Sequence, residues 1–298
     1  MTKENFAATL QGGETGSASV LVADGAMGTM LQQAGLPPGT PPEGWLLENS
    51  EAVLAVHRAY IDAGSNLILT CTFGATRPRL ARSDLDNRLD EINRRAVEVA
   101  REAAGDTAFV AGDIGPMGEF LEPLGELTYQ EAVDIFAEQA DALARAGADV
   151  LYIETMSALE EVQAAVEGAL QVANGTPVTA TLSFDSHGRT NMGVRPEEAA
   201  EALLDLGVTA LGANCGATLD MTLGAVETMH RVAPEMPLIV KPNAGKPRMV
   251  DNEVVYDATP EDMADYAHKF VALGARVVGG CCGSTPEHIA AIAQALRS

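Results

Sequence analysis

The chain reads as one closed (β/α)8 TIM barrel. Eight short runs rich in Val, Ile, Leu and Thr each precede a longer segment whose apolar residues recur at helical spacing. So even an alternation within 298 residues suits a closed barrel of parallel strands better than an open doubly wound sheet. The turn after the first run, "DGAMGTM", also lacks the G-x-G-x-x-G spacing that an open dinucleotide-binding sheet carries there.

In order, the predicted strands are "SVLVADG" (19–25), "NLILTCTFG" (66–74), "AFVAGDIG" (108–115) and "DVLYIET" (149–155), then "PVTATLSF" (177–184), "ALGANCG" (210–216), "PLIVKPNAG" (237–245) and "RVVGGCCG" (276–283). Amphipathic segments such as "EAVLAVHRAYIDAG" and "LDEINRRAVEVAREAAG" separate them. The last two helices open at Thr259 and Thr285, each followed by Pro at the first helical position and Glu in the positively polarised first turn. Residues 1–17 are polar and glycine-rich and are expected to form a loose arm, leaving 18–298 as a single domain.

Composition narrows the function classes. Hydrophobic residues make up 47% and charged residues 20%, as in a folded globular protein. Forty-two acidic against nineteen basic residues give a formal charge of −23, which repels phosphate backbones and anionic lipid, so neither nucleic acid nor membrane is expected as a partner. The N-terminal stretch has no apolar signal-like core, and the expected compartment is the cytoplasm, where the four cysteines stay reduced.

In a barrel, chemistry gathers at the C-terminal strand ends. These ends carry Asp24, Thr70 and Thr72, Asp113, Glu154, Ser183 and Asp185, Asn214 and Cys215, Lys241 and Asn243, and Cys281 with Cys282. Three of the four cysteines therefore fall at one rim. Adjacent residues of a regular strand point to opposite faces, so Cys281 and Cys282 meet at one ion only where the strand ends and Gly279, Gly280 and Gly283 let the backbone turn. Three thiolates suit a tetrahedral, borderline-soft ion such as Zn²⁺ with one position left open for a substrate thiol. Burial as small hydrophobes and a vicinal disulfide are the competing readings. The helical histidines His57, His230, His268 and His288 read as solvated surface residues.

Several of these segments together carry a family likeness: "DGAMGTML" (24–31), "VHRAYIDAGSNLILTCTFGAT" (56–76), "GDIGPMG" (112–118), "YIET" (152–155), "GANCG" (212–216), "PNAGKP" (242–247) and "GGCCGSTPEHI" (279–289). From about residue 19 onward the chain resembles the zinc-dependent homocysteine S-methyltransferases, which include betaine-homocysteine methyltransferase and the homocysteine-binding module of cobalamin-dependent methionine synthase. The resemblance implies Cys215, Cys281 and Cys282 as zinc ligands and as the catalytic set that activates the homocysteine thiol. It implies Asp24 and Glu154 as the acids that receive the substrate ammonium, and Thr72 with backbone N–H groups beside its carboxylate, so that Gly25 and Asn214 also border the substrate. Asn243 either borders the substrate or shapes the "PNAG" turn. Cys71 stands where methionine synthase relatives tend to carry Asn, and strand alternation turns it toward the helices as a buried thiol.

The family's methyl donors are betaine, S-methylmethionine, and methylcobalamin or methylfolate delivered by other domains. A betaine-like cation would favour an aromatic cage, for which Trp45 and Tyr152 are the candidates. The last helix is not followed by a corrinoid or folate domain, so a separate protein or a small free donor is expected to supply the methyl group. Two other readings remain: a non-catalytic zinc- or homocysteine-binding subunit of a larger methyl-transfer system, and an aldolase that uses Lys241 as a Schiff-base or phosphate-binding residue.

Overall fold

The computed structural model describes residues 3–11, 20–185, 187–250 and 253–297. The first half of the chain forms α1 (Lys3–Gln11), β1 (Leu21–Val22), α2 (Met27–Gln33), α3 (Trp45–Glu48), α4 (Ser50–Asp62), β2 (Leu67–Leu69), α5 (Arg77–Ala81), α6 (Leu89–Ala104), β3 (Phe109–Ile114), α7 (Tyr129–Ala146) and β4 (Val150–Met156). The second half forms α8 (Leu159–Val172), β5 (Val178–Leu182), α9 (Pro196–Leu206), β6 (Ala210–Cys215), α10 (Leu219–Val232), β7 (Leu238–Pro242), β8 (Arg248–Val250), β9 (Glu253–Val255), α11 (Pro260–Ala272), β10 (Ala275–Val278) and α12 (Pro286–Ala295).

Eight parallel strands run in the order β1-β10-β7-β6-β5-β4-β3-β2. The ring closes where Ala23 bridges Leu67, with Asn66 N–H donating to Val22 O at 2.9 Å and Val22 N–H to the Asn66 side chain at 2.8 Å. This is the (β/α)8 barrel that the alternating pattern predicts. Thr259 and Thr285 cap α11 and α12, and Pro260 and Pro286 take the first helical positions. Between β7 and α11 the chain makes an antiparallel hairpin of β8 and β9, which the eightfold pattern does not contain. No helix among the described residues is long and apolar enough to cross a membrane.

Apolar side chains form two layers. One lies between strands and helices; the other fills the barrel with Leu21, Leu67, Phe109, Val150, Ala210, Ile239 and Val277 among others. Phe6 and Leu10 of α1 belong to this inner layer and are fully buried, and the Phe6 ring meets Phe109 edge to face at 5.4 Å. Since Phe109 opens its strand, α1 stoppers the N-terminal mouth of the barrel. The expected loose arm is thus corrected over residues 3–11: Phe6 and Leu10 are four apart, the spacing of one helix face, and burying them fixes the helix. Residues 1–2 and 12–17 of that arm lie outside the described residues.

His57 corrects a second expectation. It is completely buried on α4 and, among the described residues, neither ring nitrogen has a hydrogen-bond partner, so it is not solvated. Burial lowers its pKa from 6.5 to about 4, against a smaller upward pull from Asp24. Between those values the unfolded chain holds a proton on His57 that the folded protein lacks, so stability falls as pH falls through this window.

Two measurements test these placements. Phe6→Ala is expected to lower the free energy of urea unfolding by about 3 kcal/mol, whereas a loose arm would leave it unchanged. His57→Leu is expected to remove roughly 2–3 kcal/mol of the stability difference between pH 7 and pH 4.5, read as wild type minus variant. An unaltered pH dependence would show that His57 does not titrate as its burial requires.

Candidate active site

Period-two alternation lifts four side chains from the apolar interior to the C-terminal mouth. Phe109 and Ala111 lead to Asp113 on β3, and Val150 and Tyr152 to Glu154 on β4. Ala210 leads through Gly212 to Asn214 on β6, and Ile239 leads to Lys241 on β7. There a cavity of about 620 Å³ opens, lined by Asp24, Gly25, Asp113, Glu154, Lys241 and the cysteines 215, 281 and 282.

The sulfur atoms of Cys215, Cys281 and Cys282 all lie within 4.8 Å of one another. Cys215 ends β6 at φ 58°, a left-handed conformation costing a residue with a Cβ roughly 1–2 kcal/mol. Its thiol donates to Asn243 Oδ1 at 3.2 Å, and Asn243 Nδ2 donates to Gly216 O at 2.8 Å. After β10 the backbone hooks onto the end of β7: Cys281 N–H donates to Pro242 O at 2.8 Å, and Ala244 N–H to Cys282 O at 3.0 Å. This hook ends the regular strand and allows both adjacent thiols into one cluster. The Tyr256 side chain lies beside the cluster, packed over Gly283, and favours the ionised form of Cys282. The neighbouring thiols of Cys215 and Cys281 favour the ionised form of Cys282 and lower its pKa to about 3. Those same contacts, with burial, push Cys215 up. Cys281 rises to about 12, the lowering contact with Cys215 being outweighed by that with Cys282 and by burial. Three close sulfurs, one of them ionised by its contacts with the other two, are a ready donor set for a soft or borderline cation.

Next to the thiols lie buried acids. Burial, then the nearby Cys281, raises Glu154 to about 8, and Asn214 Nδ2 donates to its Oε2 at 3.1 Å. Burial and the Glu154 charge raise Asp113 well above the usual carboxylate range, and its Oδ1 has no hydrogen-bond partner. Asp24 accepts from Lys241 Nζ at 2.7 Å and from Leu69 N–H at 2.8 Å. At Gly25 the chain passes close to its surroundings: a Cβ there would stand 2.7 Å from Ser284 Oγ and 2.8 Å from Tyr60 Oη.

The family described as Homocysteine S-methyltransferase matches residues 21–296. The chain belongs to the homocysteine S-methyltransferase family. A methionine synthase of Mycobacterium leprae (strain TN) is 32% identical over 305 residues, covering 95% of this chain and 25% of that protein. The chain thus spans about a quarter of the methionine synthases it matches. Betaine–homocysteine S-methyltransferase 1 of Mus musculus is 31% identical over 302 residues, covering 93% of this chain and 72% of that protein. The metallated homocysteine methyltransferase MmuM from Escherichia coli superimposes with a TM-score of 0.79 at 29% identity, over 94% of this chain and 96% of that one.

The structure sorts the residues implied by likeness to the homocysteine S-methyltransferases. Cys215, Cys281, Cys282, Asp24, Gly25 and Glu154 line one cavity. Asn214 and Asn243 stand behind its wall, bonded to Glu154 and Cys215. Thr72 departs from expectation. It is fully buried, does not line the cavity, and donates its hydroxyl to Asp113 O at 2.7 Å while sharing a 2.7 Å bond with the Thr70 hydroxyl. Strand β2 stops at Leu69, so alternation no longer governs where Thr72 points.

Cys71 packs in the helix-side layer at the cavity wall, outside the thiol cluster, and burial raises its pKa. Trp45 packs against the core and Tyr152 is sealed inside the barrel; neither lines the cavity, so neither builds a cation cage there. Asp185 closes its own turn by accepting from His187 N–H at 2.7 Å. Tyr256, Phe73, Arg79 and Glu43 were not expected at the site. They lie in the segments between strand ends and the following barrel helices, Arg79 on the short α5 and Glu43 in a single helical turn, where strand alternation says nothing.

Gly283 gives a local test. It adopts φ 77°, and a Cβ there would fall 2.1 Å from Tyr256 Cδ2. Gly283→Ala is expected to lower unfolding stability by about 1–3 kcal/mol, measured in urea. A change below about 0.5 kcal/mol, the scale of an ordinary surface substitution, would show that the Tyr256 packing is not needed.

Proposed function

We propose that this chain transfers a methyl group to the thiol of homocysteine, giving methionine, with a zinc ion held by Cys215, Cys281 and Cys282. The observation that carries the reading is the thiol cluster opening into a cavity that also contains buried acids. Three sulfurs and no fourth protein ligand suit Zn²⁺ with one open position, and among the described residues no His, Asp or Glu joins the group. Bound zinc would supply the Lewis acidity that keeps an acceptor thiol ionised near neutral pH.

The rest is the work of the chain's own side chains. Asp24 and Glu154 receive the acceptor's ammonium group; Glu154, held up at about 8 by burial, regains its charge when a cation arrives beside it. Asn214 and Asn243 are positioning residues, aiming Glu154 and Cys215. In the transfer the acceptor's sulfur electron pair forms the new S–CH₃ bond, and the donor's bond to that methyl breaks with its electrons left on the donor. Lys241 does not support an aldolase reading. Burial alone would lower its pKa, but Asp24 and Glu154 outweigh burial and raise it, leaving an ammonium with no free lone pair to attack a carbonyl.

Zinc-loaded protein is expected to hold about one zinc per chain, with its X-ray absorption spectrum gaining one sulfur neighbour on adding homocysteine. Cys215→Ser or Cys281→Ser is expected to cut zinc retention at least roughly tenfold, while Cys71→Ser keeps it. An unchanged sulfur count with homocysteine would overturn the reading. A panel of betaine, S-methylmethionine, methylcobalamin and methylfolate, scored by methionine formed, then identifies the donor and separates free donors from those brought by another protein.

A further inference from the structure

Lys241 has no part in the chemistry just described, yet it is only 2% exposed and lines the same cavity. Its ammonium carries three N–H groups, and among the described residues its one hydrogen bond goes to Asp24 Oδ1 at 2.7 Å. Two donors on a buried cation are left without acceptors. Asp113 Oδ1 is likewise buried without a partner. Buried polar groups in folded proteins are nearly always satisfied, so these open valences call for a ligand that carries both acceptors and donors.

The Asp24–Lys241 pair has the shape of such a request. A carboxylate and an ammonium in hydrogen-bond contact form a short, fixed dipole. An α-amino acid carries the opposite charges about 3 Å apart, one hydrogen-bond length. Laid antiparallel to the pair, its ammonium meets Asp24 and its carboxylate meets Lys241, giving a closed ring of alternating charge. Glu154 and Asp113 line the same cavity as the pair.

We infer that Lys241 receives the α-carboxylate of the acceptor thiol, so that the Asp24–Lys241 pair reads the whole amino-acid head group and selects against thiols that lack the carboxylate. This rests on the acceptor being an amino-acid thiol, and it assigns to Lys241 the carboxylate contact that Thr72, buried behind the wall, does not make.

The test measures calorimetric affinities of the zinc-loaded protein for L-homocysteine and for 3-aminopropane-1-thiol, which has the same thiol and ammonium but no carboxylate. The wild type is expected to prefer homocysteine by at least about tenfold. In Lys241→Met that preference is expected to shrink to within about threefold, mostly through weaker homocysteine binding. Removing one partner of a buried ion pair strands the other, so Lys241→Met is accompanied by the Asp24→Asn/Lys241→Met double variant, which leaves no orphaned charge. Both thiols carry the ammonium, so any loss at Asp24 cancels in the ratio. A wild-type-like preference in either folded variant, or no preference in the wild type, overturns the assignment and leaves the methyl-transfer reading standing. Failure of both thiols to bind the wild type instead removes that reading itself.

Discussion

Asp24 is where the barrel is tied shut. Its N–H donates to Leu67 O at 3.0 Å, its carbonyl accepts from Gly280 N–H at 3.0 Å, and its carboxylate takes Leu69 N–H and the Lys241 ammonium. One residue at the end of β1 thereby holds the ends of β2, β7 and β10. A carboxylate with this many charge-assisted and backbone partners can stay buried at low cost, whereas an unpartnered one cannot. The Asp24 side chain thus ties the end of β1 to the ends of β2 and β7 and gives the cavity floor its polarity, beside the Ala23–Leu67 bridge that closes the ring.

A second constraint sits across the cavity. Thr155 and Cys215 both adopt left-handed backbone without being glycine, at φ 59° and 58°. Asn214 holds Thr155 there: its Oδ1 accepts from Thr155 N–H at 2.8 Å and Thr181 Oγ1 at 2.7 Å, while its Nδ2 reaches Thr155 Oγ1 at 2.6 Å and Glu154 at 3.1 Å; Cys215 is held by Asn243. Such strain persists where neighbours over-determine the conformation, which is most often at a site of chemistry. Here it bends two strand ends so that a carboxylate and a thiol from non-adjacent strands open into the same cavity.

Much of this was legible in the sequence because it follows from periodicity. The eight apolar runs, the caps at Thr259 and Thr285, and the gathering of Cys215 with Cys281 and Cys282 require only that strands alternate and that a barrel brings their ends together. What escaped lay where periodicity fails. Thr72 follows a strand that stops three residues earlier; Tyr256 follows a hairpin that no repeat announces. His57 lies on a helix whose polar-looking position turned out to face the core, and hydrophilic type alone misleads there. For α1 the signal was present but faint, two apolar residues one turn apart in a polar stretch, and its weight became visible only with the barrel mouth it fills.

That stopper has a consequence for traffic. With Phe6 and Leu10 packed into the lower mouth, the described part of the barrel opens at its upper mouth. Anything that reaches Asp24 and Lys241 enters past Phe73 and the arginines at the upper rim and leaves by the same route. In the proposed transfer both reactants would share that doorway, with the acceptor's head group the deeper of the two, against the buried ion pair.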